Sequence, residues 1–291
     1  MTKPLTDFMV SSGNARELTP AEKDIFLGQS KTAMDIRATP DCPVCASRYT
    51  LFVQKVKGNR TGKMIAQFHC IECRSFFNPS GYAEDDDQMK ADATYVLTQR
   101  DKIAGHARQL ALELIVKLPH AKSMLEVGCG AGFFVEACKD YGFRGVGFDI
   151  NPHLTEFAQT YKMIDVINGP LTEDFPGKFD LVAAIGVLEH VEKPRDLFKL
   201  MVSKLERDGA IYINVPFVER EHWPFLWRAN DNPGSTPADV FYDNDVHITH
   251  FSREGLERMG RDFGARSAEF FICKDVVDNS PGSYPGILFR F

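Results

Sequence analysis

Two closely spaced cysteine pairs are the residues with the most definite chemistry. Cys42 and Cys45 stand in CPVC, Cys70 and Cys73 stand in CIEC, and residues 46–69 separate the pairs. This spacing predicts a zinc ribbon, although the gap is a little longer than in the commonest ribbons, and four thiolates would complete a tetrahedron around Zn²⁺. Four protein ligands leave no position for water or substrate, so we expect a structural metal. The alternatives are His69 as one of the ligands and a reduced, metal-free cysteine cluster.

A glycine-rich loop is the second pattern that indicates chemistry. Gly128, Gly130 and Gly132 follow the strand-like LEV and precede a helix-like segment. Glycines at such a turn let the backbone approach a ligand, and a helix N-terminus offers free amides. The dinucleotide fingerprint needs its third glycine at position 133, where the chain has Phe133, so a nicotinamide cofactor is disfavoured. The alternative is a turn that only packs the helix on the strand.

Acidic and imidazole side chains flank further strand-like segments. Glu126 precedes the glycine loop and can accept from an amino group, while Asp149 ends the next strand, where a carboxylate can bind both ribose hydroxyls. Glu189 and His190 follow FDLVAAI, and His190 is the leading candidate for a general base because imidazole titrates near neutral pH. Alternatively, these two side chains only shape their loop.

Two further histidines, His247 and His250, lie at the end of the long aromatic segment 216–251. Long ordered segments at the edge of a sheet often form lids and pockets, so we predict a lid-like insertion and treat both histidines as candidate catalytic residues. Metal binding by the two is disfavoured because no third ligand stands nearby in the sequence. A hydrogen-bonded loop anchor is the alternative.

Short apolar runs that alternate with helix-like stretches must position these side chains. The pattern predicts an α/β fold with a mostly parallel, Rossmann-like sheet, and an antiparallel hairpin at its C-terminal end. The predicted strands are 123–127, 145–149, 179–185, 210–215, 268–273 and 286–291. Parallel strands share one carboxyl edge, so Asp149, His190 and the glycine loop are expected on the same side of the sheet.

Changes in composition along the chain predict four segments. We assign residues 1–40 to an N-terminal extension, 41–80 to the zinc ribbon, 81–118 to a helical linker or cap and 119–291 to the main domain. Within the ribbon, two β-prone runs separated by turn residues predict a hairpin with one cysteine pair at each end. A hairpin of this size buries too little surface to fold without a metal.

The overall composition limits the classes of partner. The chain has 291 residues, a net charge of -6 and seven cysteines, an odd number that fits a reducing compartment. No apolar run is long enough to span a bilayer and residues 1–20 lack the features of a secretory signal, so we expect a cytoplasmic protein without a membrane partner.

The acidic balance also disfavours a nucleic-acid partner. Basic side chains near the cysteines are interpreted as a solvated surface: Arg48, Lys55, Lys57, Arg60, Lys63 and Arg74.

Four consecutive motifs, LEVGCGAGFF, GVGFDINP, FDLVAAIGVLEHVEKP and ERDGAIYINVPF, resemble those of class I S-adenosylmethionine-dependent methyltransferases over residues 105–291. The resemblance implies that Glu126 and the glycine loop hold the methionine part, that Asp149 holds the ribose and that residues 169–171 lie against the adenine. Where many relatives carry an acid for the adenine amino group, this chain has Gly169-Pro170-Leu171, and Asn168 or a backbone group would substitute. The implied cofactor contacts are Glu126, Gly128, Gly130, Gly132, Asp149, Ile150, Leu171 and Gly186.

With its ribbon, the chain is similar in layout to bacterial enzymes that methylate sugars and other small molecules. The resemblance implies O- or C-methylation of a small-molecule acceptor such as a nucleotide-linked sugar or a secondary metabolite. One alternative is an RNA methyltransferase that grips phosphates with its ribbon. The other is a regulator that binds S-adenosylmethionine without transferring its methyl group.

Overall fold

The computed structural model describes residues 39–58, 61–79, 85–218, 246–273 and 285–291. Its strands are β1 (Thr50–Lys57), β2 (Met64–Cys70), β3 (Phe76–Phe77), β4 (Ser123–Val127), β5 (Arg144–Asp149), β6 (Val166–Asn168), β7 (Phe179–Ile185), β8 (Leu205–Asn214), β9 (Thr249–His250), β10 (Ser267–Ile272) and β11 (Pro285–Arg290). Its α-helices are α1 (Asp86–Thr98), α2 (Arg100–Lys117), α3 (Phe133–Asp140), α4 (Pro152–Phe157), α5 (Pro194–Ser203) and α6 (Arg253–Asp262). A π-helical turn, Ala158–Lys162, continues α4, and a 3-10 turn, Leu188–His190, precedes α5.

The larger sheet has seven strands in the order β10-β11-β8-β7-β4-β5-β6. Strands β4, β5, β6, β7 and β8 run parallel, whereas β11 pairs antiparallel with both β8 and β10. The predicted Rossmann-like sheet with an antiparallel C-terminal hairpin is therefore confirmed. The order reverses at β4, which lies between β5 and β7, and open α/β sheets bind ligands beyond the carboxyl ends of the strands at such a switch point.

Apart from one-residue shifts at the ends of β5, β8, β10 and β11, the strands differ from prediction in two places. Strand β6 has three residues, too few for a period-2 pattern to stand out from its surroundings. Strand β8 begins at Leu205, five residues before the predicted start, because an irregularity in its pairing with β7 accommodates the polar residues 206–209. In that stretch Asp208 has a positive φ of 62°.

The predicted helical segment between the ribbon and the sheet consists of two helices. Asp85 caps α1 by accepting from the Gln88 amide at 2.9 Å, and Gln99 alone separates the end of α1 from α2. Helix α2 buries Leu110 and Leu114 in the same apolar cluster as α3. Helices α1 and α2 therefore cover the same face of the sheet as α3, the helix that follows the glycine loop.

The cysteine-bearing segment forms a second, four-stranded sheet in the order β1-β2-β3-β9. The predicted β1–β2 hairpin is observed, and β3 continues the sheet through antiparallel pairing with β2. Strand β9 comes from the other end of the chain and pairs with β3, with Phe76 opposite His250 and Phe77 opposite Thr249. The ribbon therefore shares a sheet with the segment that carries the candidate histidines.

Side-chain contacts also join the ribbon to the main domain. Ser252 is central among them: its amide donates to Ser75 Oγ at 3.1 Å and its hydroxyl donates to the Cys73 carbonyl, while its side chain caps α6 by accepting from the Gly255 amide. Arg258 on α6 forms an ion pair with Glu72 at 2.7 Å. The cysteines belong to the same apolar cluster as one face of the larger sheet.

Both ends of the predicted insertion 216–251 lie within the described residues. Phe217 and Phe251 form a parallel bridge, and the Val218 amide donates to the Phe251 carbonyl at 2.8 Å. The middle of this lid-like insertion, residues 219–245, and most of the predicted N-terminal extension lie outside the described ranges. Among the helices that the structure describes, none has the length and apolarity required to cross a membrane.

Candidate functional site

The glycine loop connects the end of β4 to α3 in a conformation that requires glycine. Gly128 has φ of 70° and Gly132 has φ of 72°, in the left-handed region. A Cβ on Gly128 would lie 2.3 Å from Val187 Cγ2, and one on Gly132 would lie 2.1 Å from Ile164 Cδ1. The loop therefore packs closely against the segment after β7 and against the approach to β6.

We expect Gly132→Ala to lower the free energy of unfolding by about 2–4 kcal/mol, because backbone strain adds to the clash with Ile164. Gly142→Ala is the matched control: Gly142 has φ of 89°, but nothing lies within 4 Å of its Cβ position, so only the strain remains, about 1 kcal/mol. Urea unfolding of the two variants measures the difference. Equal losses would contradict the close packing of the loop.

Asp149, at the end of β5, is held in place by the backbone. Its Oδ2 accepts from the Gly130 amide at 2.6 Å, and its Oδ1 accepts from the Asn151 amide at 2.8 Å. Burial raises the pKa of the Asp149 carboxyl, and these two amide hydrogen bonds act in the opposite direction. The carboxylate thus links the glycine loop to the N-terminus of α4, where Asn151 is the helix cap, as the sequence predicts.

Glu126 lies on β4, beneath the loop, and is only 3% exposed. Its Oε2 is buried and has no hydrogen-bond partner among the described residues. Burial raises the pKa of Glu126 well above its ordinary value, the Asp149 charge raises it further, and a hydrogen bond from the Val135 backbone lowers it. A buried acceptor without a donor favours a ligand that brings one, such as an amino group.

The other candidate cofactor residues flank the same edge of the sheet. Ile150 is 59% exposed directly after Asp149, whereas Leu171 is buried. Asn168, at the end of β6, donates through Nδ2 to the Asp149 carbonyl at 3.2 Å. Gly186 follows β7 with φ of 65°, and its amide donates to the Asn214 carbonyl at 2.9 Å. These residues stand at or shortly after the carboxyl ends of β5, β6 and β7.

Three side chains converge on the loop that follows β7. Glu189, His190 and His247 each offer one possible ligand atom, and these three atoms lie within 4.8 Å of one another. Glu189 and His247 are buried, whereas His190 is exposed. The two imidazole rings meet edge to face with centroids 4.7 Å apart. Burial raises the pKa of Glu189 to about 8, so this carboxyl holds its proton unless a cation or a donor compensates for the burial.

The orientation of His190 is fixed by the segment that carries His247. His190 Nδ1 lies 3.0 Å from the Val246 carbonyl oxygen, and because a carbonyl only accepts, Nδ1 must carry the hydrogen. Nε2 therefore carries the lone pair when the ring is neutral. The same tautomer suits a general base and a metal ligand.

His250 lies outside this cluster of three. It is on β9, only 3% exposed, and burial lowers its pKa to about 3, with a smaller contribution from His247. The sequence leaves open whether His247 and His250 share one side of a helical turn; instead, residues 247 and 248 form a loop and His250 is in a strand. His250 is therefore a neutral imidazole inside the sheet that joins the ribbon to the main domain.

The four cysteines lie together, as the sequence predicts. Cys42 Sγ lies 3.5 Å from Cys73 Sγ, Cys45 Sγ lies 3.5 Å from Cys70 Sγ, and the four sulfurs all lie within 4.8 Å of one another. Zinc–sulfur bonds of about 2.3 Å would place tetrahedral sulfurs about 3.8 Å apart. The arrangement fits a four-thiolate metal site.

The two cysteine pairs also share one backbone conformation. In each pair the first cysteine's carbonyl accepts from the residue after the second cysteine, Ala46 at 2.9 Å or Arg74 at 2.8 Å. These two residues have positive φ values of 57° and 63°, which non-glycine residues seldom adopt. Two strained turns of the same form, facing each other across four sulfurs, point to one common ligand.

The sequence places Glu189 beside His190 at the carboxyl edge of the sheet but does not group His247 with them. It shows no third ligand near His247. The proximity arises because Val246 accepts from His190 and because β9 pairs with β3. Both contacts join residues far apart in the chain, so no local pattern could have revealed them.

Comparison with known proteins agrees with this architecture. Residues 97–268, more than half of the chain, match the family described as "Methyltransferase domain". A mitochondrial ubiquinone biosynthesis O-methyltransferase of Schizosaccharomyces pombe is 31% identical over 102 residues, which are 32% of this chain and 37% of that protein. A ubiquinone biosynthesis O-methyltransferase of Xanthomonas campestris is 29% identical over 107 residues, 34% of this chain and 44% of that protein. The chain thus spans less than half the length of these curated relatives.

Solved structures show the same fold at low sequence identity. Magnesium protoporphyrin IX methyltransferase from Synechocystis PCC 6803 with bound S-adenosylhomocysteine has a TM-score of 0.50 and 16% identity, and the similarity covers 66% of this chain and 86% of that one. An O-methyltransferase family protein from Burkholderia thailandensis has a TM-score of 0.51 and 12% identity, covering 71% of this chain and 60% of that one. By its sequence match and its fold, the chain belongs to the methyltransferase-domain family, whose class I members use S-adenosylmethionine.

Proposed function

We propose that the protein transfers a methyl group from S-adenosylmethionine to a hydroxyl oxygen of a small molecule. The observation that carries this proposal is the convergence of two groups of side chains at one edge of the sheet. The glycine loop and Asp149 lie at the ends of β4 and β5, and Glu189, His190 and His247 lie beyond the end of β7. Gly128 packs against Val187, which places the two groups side by side.

The first group suits the cofactor. The loop glycines leave no room for a Cβ at two positions, Asp149 offers a carboxylate for ribose hydroxyls, and Glu126 offers an unpartnered oxygen for the amino group. When bound, S-adenosylmethionine supplies a methyl group on a sulfonium, which an acceptor atom can displace in line. Ile150, Leu171 and Gly186 complete the proposed cofactor contacts.

The second group suits the acceptor. His190 Nε2 can accept the proton of an acceptor hydroxyl because Nδ1 donates to Val246. His247 and His250 are proposed to shape the acceptor side, with His250 acting through its electrostatic interaction with His247. Oxygen is the proposed methylated atom because the two curated relatives described above are named O-methyltransferases. The acceptor class includes nucleotide-linked sugars and phenolic ring compounds.

A second proposal concerns the cysteines. Cys42, Cys45, Cys70 and Cys73 are proposed to bind one structural Zn²⁺, supported by the sulfur distances and the two matching turns. Four protein ligands would fill the tetrahedron, so this metal would have no direct part in the methyl transfer. Its role would be to hold the ribbon against α6 and β9.

Incubation with methyl-labelled S-adenosylmethionine and separate pools of candidate acceptors tests the function. We expect label in a small-molecule pool of sugars or phenols. Label in RNA, together with RNA affinity that falls steeply with salt, would instead favour the RNA methyltransferase. Tight cofactor binding without transfer to any pool would favour the non-catalytic regulator.

His190→Ala is expected to lower the rate of methyl transfer about 100-fold or more, because the acceptor proton loses its base. Cofactor affinity measured by calorimetry should change little, since His190 lies beyond β7 and not in the glycine loop. His120→Ala is the matched control, because His120 is exposed and precedes β4 at the opposite edge of the sheet. A large loss of cofactor affinity in His190→Ala would contradict the division into two groups.

A further inference from the structure

We propose that Glu189, His190 and His247 form a binding site for one divalent cation and that this cation holds the acceptor's hydroxyl oxygen next to the methyl donor. The first part of this proposal, the cation site, does not depend on any activity. The second part, the contact between the cation and the acceptor, rests on the proposed function and specifies the class of substrate.

The donor atoms suit a divalent transition-metal ion such as Mn²⁺. One carboxylate and two imidazoles offer one oxygen and two nitrogens, a set that binds divalent first-row metals. Their ligand atoms lie within 4.8 Å of one another. A cation at the centre of three ligand atoms 4.8 Å apart would lie about 2.8 Å from each of them, so bonds of about 2.1 Å require each atom to move by less than about 1 Å.

Glu189 is the second, independent observation. Its side chain is 3% exposed, and its buried Oε2 has no hydrogen-bond partner among the residues that the structure describes. A buried, unpartnered carboxylate oxygen destabilises the fold unless a donor or a cation compensates for it. The ideal Cβ position of Gly186 lies 3.8 Å from Glu189 Oε1, so the carboxylate lies beside the residue that follows β7.

The backbone orients His190 as a ligand. Histidines that bind metals usually donate their second ring nitrogen to a carbonyl or carboxylate, and Nδ1 of His190 donates to the Val246 carbonyl at 3.0 Å. Nε2 then carries the lone pair of the neutral ring. Val246 directly precedes His247, so a single backbone segment both orients one ligand and supplies another.

The proposed site leaves room for an acceptor. Three protein ligands leave open positions on the cation, as catalytic metal sites require, whereas the four cysteines leave none. His190 lies on the exposed side of the shell. Val187, two residues before Glu189, contacts the glycine loop. An acceptor oxygen on the cation would therefore face the cofactor side.

The cation's role in the reaction follows from its charge. A bound cation lowers the pKa of a hydroxyl that coordinates it. His190 Nε2 is then a ligand of the cation and takes no proton, so the hydroxyl proton leaves to water. The oxygen then forms a bond to the methyl carbon while the carbon–sulfur bond breaks, and sulfur keeps the electron pair as a neutral thioether. Two adjacent open positions favour acceptors in which a second oxygen neighbours the methylated hydroxyl, such as vicinal diols and ortho-diphenols.

Mn²⁺ is a suitable probe because it prefers oxygen and nitrogen ligands and leaves the four-thiolate site to Zn²⁺. The full chain is supplied with one equivalent of Zn²⁺ and then titrated with Mn²⁺, while electron paramagnetic resonance reports the free ion. We expect one Mn²⁺ to bind per chain. Glu189→Gln and His190→Gln should each weaken this binding at least about tenfold.

The matched control is Glu192→Gln, which removes the same charge from an exposed residue three positions after Glu189 and should bind Mn²⁺ like the native protein. His190→Gln is a substitution on the exposed side, so it tests the site even if Glu189→Gln fails to fold. Unchanged Mn²⁺ affinity in His190→Gln, or no saturable binding by the native protein at millimolar Mn²⁺, would overturn the proposal.

The same preparations separate this inference from the proposed function. Methyl transfer without saturable Mn²⁺ binding would leave the proposed function standing, with His190 as a simple base, and would overturn the cation site. Saturable Mn²⁺ binding that depends on Glu189 and His190, without transfer to any acceptor, would support the cation site and contradict the proposed function.

Discussion

Asp149→Ala is expected to lower the affinity for S-adenosylmethionine about 100-fold or more. The Asp149 carboxylate would accept from two ribose hydroxyls, and hydrogen bonds to charged groups contribute about 1.5–3 kcal/mol each, where 1.4 kcal/mol corresponds to tenfold in affinity. The substitution also removes the acceptor of the Gly130 and Asn151 amides, which loosens the loop. Isothermal titration calorimetry measures the change directly.

Two further variants define what Asp149→Ala removes. Asp165→Ala eliminates the same charge at an exposed position that forms an ion pair with Lys139, and it should bind the cofactor normally. Asp149→Asn keeps the shape but loses the charge, so its affinity should lie between those of the native protein and the alanine variant. Cofactor affinity that is unchanged in Asp149→Ala would show that the ribose binds elsewhere.

Cys73→Ser is expected to abolish stoichiometric zinc binding and to lower the free energy of unfolding by on the order of 4 kcal/mol or more, because structural metal sites supply much of a small module's folding energy. Elemental analysis and urea unfolding measure the two effects. Hydrogen exchange should rise in β1–β3 and also in β9, which pairs with β3. Cofactor affinity should persist, since the glycine loop and Asp149 belong to the other sheet.

Cys138→Ser is the matched control for this experiment. Cys138 is also buried, but it lies on α3 and is not one of the four clustered cysteines. This variant should keep its zinc and unfold with a smaller loss of stability. If the native protein contained no zinc and kept its stability in the presence of a chelator, the four thiols would be a metal-free core.

Patterns within short segments predicted the fold well. The larger sheet was predictable because each buried parallel strand is a continuous apolar run, and because glycines mark the turn that follows β4. The short β6 and the early start of β8 were missed, since neither has an apolar run of its own. The assembly of the cysteines was predictable because repeated Cys-x2-Cys spacing reflects the geometry of the ligand itself.

Contacts between distant segments were not predictable. Nothing near Ser252 in the sequence indicates that its amide meets Ser75 or that its hydroxyl meets the Cys73 carbonyl. The grouping of Glu189 with His247 likewise depends on how the segment that precedes β9 packs against the loop after β7.

The pairing of β3 with β9 bears on how such a protein could change during evolution. The family match begins at residue 97, yet a strand from before that point completes its sheet with a strand from residues 249–250. The start of the recognisable domain is therefore not a boundary of folding. Loss or exchange of the ribbon as an independent cassette would leave an unpaired backbone edge next to the histidines, so the two parts are expected to be inherited together.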